Sequence, residues 1–348
     1  MVFDITSLWK RRPDRLGLDF DQRSMRIVRL KRASESTFSL ASCGHLAVSV
    51  RQATPLDQQR IGAFIRQTGG GLMRAAVNIE DPSLRIRRMS FAKMPERDLI
   101  EAIKWNFREH IDCPIEEYEV GYAQIDGWGE ADRFTCSAFG VAKKAVKEYA
   151  ELMRRIGIKL VSLEPQATAL LAAFDYNINW VPKEAVVCIC LGDFTSHFTV
   201  MAEGQLLFSR PMPQVSFEAL KRYISRDLNL DESGAEDILF SNLTGAETDV
   251  ALRPELAETM SSFFSQLVVE TQRSIDAFAI LFGVERVDSI YLCGIGAYCP
   301  GIVAHMQKSL GVKTQIFDPF ANISTEGIDP SVKGRSALFA AAFGLAIP

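Results

Sequence analysis

The sequence predicts an α/β protein of two domains, and three observations carry that expectation. At 348 residues the chain is longer than one hydrophobic core comfortably serves. Segments of strand character alternate with segments of helical period in both halves. Finally, each half opens on an apolar strand that turns through a short polar loop into a second strand. In the first, Leu16-Gly17-Leu18-Asp19-Phe20 turns through Asp21-Gln22-Arg23-Ser24 into a strand over 25–30. In the second, 186–191 runs through Gly192-Asp193-Phe194-Thr195-Ser196 into a strand over 198–201. Successive backbone amides in such turns form a concave nest for an anion, so both are candidate phosphate turns.

The elements follow in order. Residues 38–50 read as strand. Pro55 and the run Gly69-Gly70-Gly71 bracket a helix with Ile61, Phe64 and Ile65 on one side. Strands are expected over 74–79 and 84–91, separated by Asp81-Pro82. An amphipathic helix over 96–110 carries Leu99, Ile103 and Phe107, with Trp105 beside them, and Cys113-Pro114 stops it. Strands over 118–125 and 133–141 meet at Asp126-Gly127-Trp128-Gly129, and a helix over 143–156 ends at Gly157. This block reads as a small inserted α/β subdomain. A strand over 158–163 follows, then a helix that Glu164-Pro165 opens and that runs to 174. Val181-Pro182 marks a hinge. Beyond the hairpin over 185–211 the chain turns mostly helical, over 217–228, 231–240 and 254–281. It closes with strands over 289–293 and 314–317, a helix after Pro300 between them, and a terminal helix over 332–346.

Composition excludes several classes. A hydrophobic share of 47% with 24% charged residues is that of an ordered globular protein. A net charge of −4 offers nucleic acid no global attraction, and the alternating arginines of 85–88 read as a solvated strand edge. The seven cysteines lack disulfide or zinc spacing and read as buried thiols; Cys188 and Cys190 share a strand face but have no further ligands nearby. The four histidines are dispersed, and His197, beside the second turn, reads as an ordinary strand residue that a bound anion could touch. Serine-nucleophile, metalloprotease and Walker A patterns are absent. Leu292-Cys293-Gly294-Ile295-Gly296 follows a strand, but Cys299 stands where a dinucleotide-binding turn needs its third glycine. Residues 1–32 carry nine Lys/Arg against four Asp, and Val2, Ile5 and Trp9 fall at helical spacing before Lys10-Arg11-Arg12. That segment reads as an undocked terminus or a short interfacial helix. No apolar run is long enough to span a bilayer, and no secretory pattern is visible, so the expected place is the cytosol, at a membrane surface.

Taken together, these segments resemble the PilM family of type IV pilus assembly proteins, actin-like relatives of the division protein FtsA. The resemblance spans nearly the whole chain. Residues 16–30 resemble the family's first phosphate turn; Ala92-Lys93-Met94-Pro95-Glu96 through Pro114-Ile115-Glu116-Glu117 resembles the start of its inserted 1C subdomain; and Ser162-Leu163-Glu164-Pro165-Gln166-Ala167-Thr168 resembles its connecting helix. Residues 293–301 resemble the adenosine turn, and Asp318-Pro319-Phe320-Ala321-Asn322 with Gly344-Leu345-Ala346 the C-terminal signature. The resemblance implies an actin-like, ribonuclease-H-like two-domain fold with an FtsA-type 1C insertion. The implied divisions are a basic segment over 1–15, subdomain 1A over 16–91, 1C over 92–160, and the connecting helix and hinge over 161–182. A second domain follows over 183–331, with a helical 2B part at about 212–285, and a C-terminal helix over 332–348 returns to 1A.

The resemblance further implies an ATP site. Asp19, Gln22, Arg23, Ser24, Gly192, Thr195, Ser196, Gly294 and Gly296 would line it, Asp19 would hold Mg²⁺, and Asp19 and Glu164 would be catalytic if the site were active. The sequence departs from the family at that site. Asp21 stands where a glycine is usual and places a carboxylate toward the phosphates. Cys190 replaces an aspartate, Ile295 a glycine of the adenosine turn, and Val215-Ser216 a Gly-Gly. Four losses at one ligand imply weak or absent Mg-ATP binding and a weak or absent ATPase. The expected function is that of a cytoplasmic scaffold at the inner face of the inner membrane. It would bind the cytoplasmic N-terminal tail of a bitopic PilN-like protein, alongside other pilus assembly components and without nucleic acid. Trp105, Phe107 and Tyr118 are candidates for contact with that tail. The alternatives are an active actin-like ATPase or kinase and an FtsA-like filament former.

Overall fold

The computed structural model describes residues 14–34, 37–49, 53–129, 132–244, 254–284 and 286–348. The expected helix over the first nine residues and most of the basic segment lie outside them. The strands of the first half are β1 (Leu16–Phe20), β2 (Ser24–Arg32), β3 (Phe38–Ala47), β4 (Arg74–Ile79), β5 (Arg85–Ala92), β6 (Tyr118–Ile125), β7 (Arg133–Ala142) and β8 (Lys159–Pro165). Its helices are α1 (Pro55–Gly69), α2 (Glu96–Phe107), α3 (Lys143–Arg155) and α4 (Gln166–Asn177). The second half adds β9 (Val186–Cys190), β10 (Ser196–Ala202), β11 (Gln205–Met212), β12 (Ser289–Cys293) and β13 (Lys313–Ile316). With them come α5 (Phe217–Asp227), α6 (Glu232–Thr244), α7 (Pro254–Phe282), α8 (Ile302–Leu310), α9 (Pro330–Lys333) and α10 (Ala340–Ala346).

The chain divides into two compact units. The first comprises Met1–Lys183, Val200–Ser209 and Asp318–Pro348. Its main sheet has the order β3-β2-β1-β4-β8. β1 lies at the centre, antiparallel to β2 and parallel to β4, and all five of its residues are buried. Sequence explains the helix limits locally. α1 starts on a capping box between Thr54 and Asp57, carries Pro55 in its first turn, and stops at Gly70, whose left-handed backbone suits glycine. α4 is buried nearly all round because it lies against α10, and the close approach depends on small residues. A side chain at Gly344 would run into the Ala169 carbonyl, and one at Gly17 into that of Ala342. Arg15, just before β1, donates to the Leu345 and Ile347 carbonyls at 2.8 Å each and so ties the chain's end to this sheet.

A separate antiparallel sheet of order β5-β7-β6 lies in the same unit, with α2 against it through Leu99, Ile103 and Phe107. Ser83 and Gln205 tie this sheet down. The Ser83 carbonyl accepts from the Tyr118 hydroxyl, and its Oγ accepts from the Ala142 amide. Gln205 exchanges two hydrogen bonds with the backbone of Asp126. On the main sheet, the outer edge at Leu40 is met by the Ser324 carbonyl at 2.9 Å, which shields part of an otherwise open strand edge.

The second unit comprises Glu184–Thr199 and Arg210–Phe317. β9, β12 and β13 run parallel, with Cys293 in register with Cys190. The full sheet order is β11-β10-β9-β12-β13. Lys221 is buried between α5 and α6, within 3.0 Å of Glu218 and 3.7 and 3.8 Å of Glu236 and Glu232.

Glu164-Pro165 opens α4 as expected, with Pro165 as its N-cap, while residues 162–165 also pair in parallel with β4. One element differs from the sequence expectation. The expected continuous helix over 332–346 is broken into α9, a 3₁₀ turn over Ser336–Phe339 and α10. Gly334 falls at the break, where a glycine is among the least helix-forming residues.

Candidate functional site

The first turn lies in the first unit, at the end of β1. Register sets Asp19 directly opposite Arg26 across the β1–β2 hairpin, and directly opposed residues have neighbouring side chains. Both are nearly inaccessible, at 3% and 5% exposure, and Nη1 of Arg26 lies 3.1 Å from Oδ2 of Asp19. Two of the turn's amides are also engaged. The Asp21 amide donates to the Ser24 carbonyl at 2.9 Å, and the Gln22 amide to the Asp21 carboxylate at 2.6 Å. Thus the Asp21 carboxylate, expected to face a phosphate, closes the turn on itself. Ser24 is buried, whereas Gln22 and Arg23 are exposed. Asn78, fully buried on β4, exchanges two hydrogen bonds with the backbone of Phe20 and fixes the strand end. Glu164 accepts from Ser162 Oγ at 2.7 Å and lies 3.8 Å from Arg15, so it belongs to the group that ties down the C-terminus.

The second turn and the adenosine-type turn both lie in the second unit, and they pack on each other. The Leu191 amide donates to the Cys293 carbonyl at 2.8 Å, and the Gly296 amide to the Leu191 carbonyl at 3.2 Å. A Cβ on Gly294, whose φ is +80°, would sit 2.5 Å from the Leu191 carbonyl oxygen; one on Gly296 would sit 2.8 Å from Leu191 Cβ. Both glycines therefore have a packing reason to be glycine that involves no ligand. The first turn of α5 is likewise satisfied from within. Phe217 and Glu218 donate to the Gly192 and Asp193 carbonyls at 3.0 and 2.8 Å, and Ala219 donates to the Ser216 hydroxyl at 3.1 Å. These are three of the amides that a helix N-terminus would otherwise present to an anion. Thr195 is half-buried, and Ser196 is fully buried with no partner for its Oγ among the described residues. Loss of water around His197 pushes its imidazole down to about 4, so the ring is neutral near pH 7 and gives an anion no charge.

A magnesium site fits this donor set poorly. Mg²⁺ takes hard oxygen ligands, often one or two carboxylates. At the first turn the Asp19 carboxylate already holds a guanidinium. A dication about 5 Å from that guanidinium would be repelled by roughly 7 kcal/mol at an effective dielectric near 20. Among the described residues, no group of three or more His, Cys, Asp or Glu side chains is placed to hold a metal ion. Cys188 and Cys293 do approach, with sulfurs 3.6 Å apart, in the interior of the sheet.

Of the three aromatic residues named as partner contacts, two are interior. Phe107 is fully buried and Tyr118 is 7% exposed, because both belong to the core between α2 and the three-stranded sheet. Trp105 projects from the opposite side of α2 at 67% exposure, with the Arg108 guanidinium 4.8 Å above its ring. Arg26, Asn78 and Arg15 had no place in the sequence reading of the site. Arg26 had a usable signal, since a hairpin closed by residues 21–24 sets positions 19 and 26 opposite each other.

Two β-sheet units, each bearing a hairpin turn at the end of a buried strand, define the class as the actin-like ATPase fold, a fold that by itself does not establish catalysis. Residues 17–348 match the family model described as type IV pilus assembly protein PilM. The chain belongs to that family. Among solved structures it is similar to one described as a PilM-PilN type IV pilus biogenesis complex, at a TM-score of 0.81 and 18% identity, covering 97% of this chain and 98% of the other. It is less similar to the ethanolamine utilization protein EutJ from Carboxydothermus hydrogenoformans, at a TM-score of 0.56 and 13% identity over 97% and 90% of the two chains. No curated protein sequence matches the chain significantly. No helix among the described residues is long and apolar enough to cross a membrane.

Proposed function

We propose that this protein is a non-catalytic scaffold of a type IV pilus-like assembly complex at the cytoplasmic face of the inner membrane. It holds the cytoplasmic tail of a bitopic PilN-like partner. The observation that carries the reading is that groups of the first turn and the first amides of α5 are already engaged within the fold. Asp19 is paired with Arg26, the Gln22 amide with Asp21, and the first amides of α5 with the second turn and Ser216. A working nucleotide switch needs those groups for phosphate and metal. Membership of the PilM family and the likeness to a PilM-PilN complex support the choice of partner.

A tail of this kind would bind as an extended segment, read through main-chain bonds and a few apolar side chains. Trp105 is the exposed anchor offered by α2, and a tryptophan stacked under an arginine has the chemistry of an interface hot spot. Fluorescence anisotropy with a synthetic tail peptide of the PilN-like protein from the same organism tests this. Trp105→Ala is expected to weaken binding roughly tenfold or more, with the unfolding temperature unchanged. Unaltered affinity would remove α2 from the contact, and no binding by the parent chain at micromolar concentrations would sink the scaffold reading.

Ser196 is the observation that favours a second reading, a live nucleotide switch. A buried hydroxyl without a partner is costly, and a ligand oxygen would satisfy it.

A further inference from the structure

Arg26 stands against the Asp19 carboxylate near the end of β1. It is held there by the hairpin register, in which Leu18 pairs with Ile27, Asp19 with Arg26 and Phe20 with Met25. The apolar members of those pairs are all in the core. A shift of one residue would send Ile27 and Met25 to the opposite face of the sheet, so the guanidinium cannot leave by strand slippage. Its contact with Asp19 is made at 3.1 Å, with side-chain exposures of 6% and 4%. Breaking a buried pair leaves an uncompensated charge, so thermal motion of Arg26 does not open the carboxylate to solvent cations.

We propose that Arg26 is a built-in cation that takes the place of a divalent metal at Asp19, closing the first turn of this chain to Mg²⁺. The pair does structurally what a bound metal does elsewhere: it neutralises the carboxylate at the end of β1 and holds the turn in one conformation. This proposal deepens the scaffold reading above and rests on the same identification of the turn. It goes further in naming the residue that shuts the site and in predicting that metal sensitivity returns when that residue is removed.

The test uses the full chain. Affinity for a fluorescent ATP analogue is measured by anisotropy in millimolar Mg²⁺ and again in EDTA. Thermal unfolding is followed with and without Mg²⁺ for the parent, Arg26→Met and the double variant Asp19→Asn/Arg26→Met. The parent is expected to bind the analogue equally in both buffers within twofold, or in neither, and to unfold at the same temperature in both. Arg26→Met removes the guanidinium that lies 3.1 Å from the buried Asp19 carboxylate, so Mg²⁺ should raise its unfolding temperature by mass action. The double variant should lack that response. If Arg26→Met folds only when Mg²⁺ is present, the proposal is supported by the same logic. If it folds in neither buffer, the parent comparison decides.

Two results would overturn the proposal: parent affinity at least tenfold higher in Mg²⁺, or a folded Arg26→Met indifferent to Mg²⁺. Tail-peptide binding on the same samples separates this proposal from the scaffold reading. A metal-indifferent parent that fails to bind the tail would sink the scaffold and leave the role of Arg26 standing.

Discussion

Gly294 and His197 show how single residues at the site serve the fold itself. Gly294 has φ +80° and ψ −179°, a region essentially reserved for glycine. Gly294→Ala would add that backbone strain to a collision with the Leu191 carbonyl, for a loss of about 2 kcal/mol or more. Urea unfolding with no nucleotide present should register the loss in full; a loss seen only when nucleotide is added would mean the glycine serves a ligand. For His197, the folded ring has its pKa pushed down to about 4 by burial. The unfolded chain keeps the ordinary value near 6.5 and takes up its proton first as pH falls. Stability from this residue is therefore whole above about pH 6.5, declines toward pH 4 and then levels, with a total of no more than about 3 kcal/mol. His197→Gln should flatten the urea midpoint's dependence on pH in that window. An unchanged slope would place the ring in water.

At the scale of elements, most strands and helices were legible because each carries its own local signal. The capping box before α1, the buried five-residue run of β1, and the strand over 289–293 have one period each and clear ends. Glu164-Pro165 likewise marks the start of α4, with Pro165 as its N-cap. The misread element lies where tertiary packing overrides a local cue. Small-residue runs suit one long terminal helix, yet the chain breaks at Gly334 and packs α10 tightly onto α4 and β1. The first turn of α5 offers the sharpest check at this scale. Ser216 caps it, with the Ala219 amide 3.1 Å from the Ser216 hydroxyl, so Ser216→Ala should cost about 1 kcal/mol. Chemical denaturation reads that directly. A change below a few tenths of a kcal/mol would show that the cap is not what satisfies this helix end.

For the whole molecule, the family and the two-turn layout were readable from the order of motifs, and the losses at Asp21, Cys190 and Ile295 were visible as substitutions. The contacts these turns make within the fold were less visible, because they depend on which groups meet in three dimensions. The Asp19–Arg26 pair needs the hairpin register, the engagement of α5 by Gly192 and Asp193 needs the turn's path, and the packing of Gly294 on Leu191 needs two strands far apart in sequence. The same limit applied to the partner surface, where the aromatic residues of one helix and its neighbour divide into core and surface only once α2 is laid on its sheet.

The central claim is that the chain has kept the family's scaffold and made it independent of nucleotide. The most direct measurement is the affinity of the full chain for the tail peptide, by isothermal titration calorimetry, in Mg-ATP and in nucleotide-free buffer with EDTA. The account predicts micromolar binding of equal strength in both. Binding that requires Mg-ATP would contradict it.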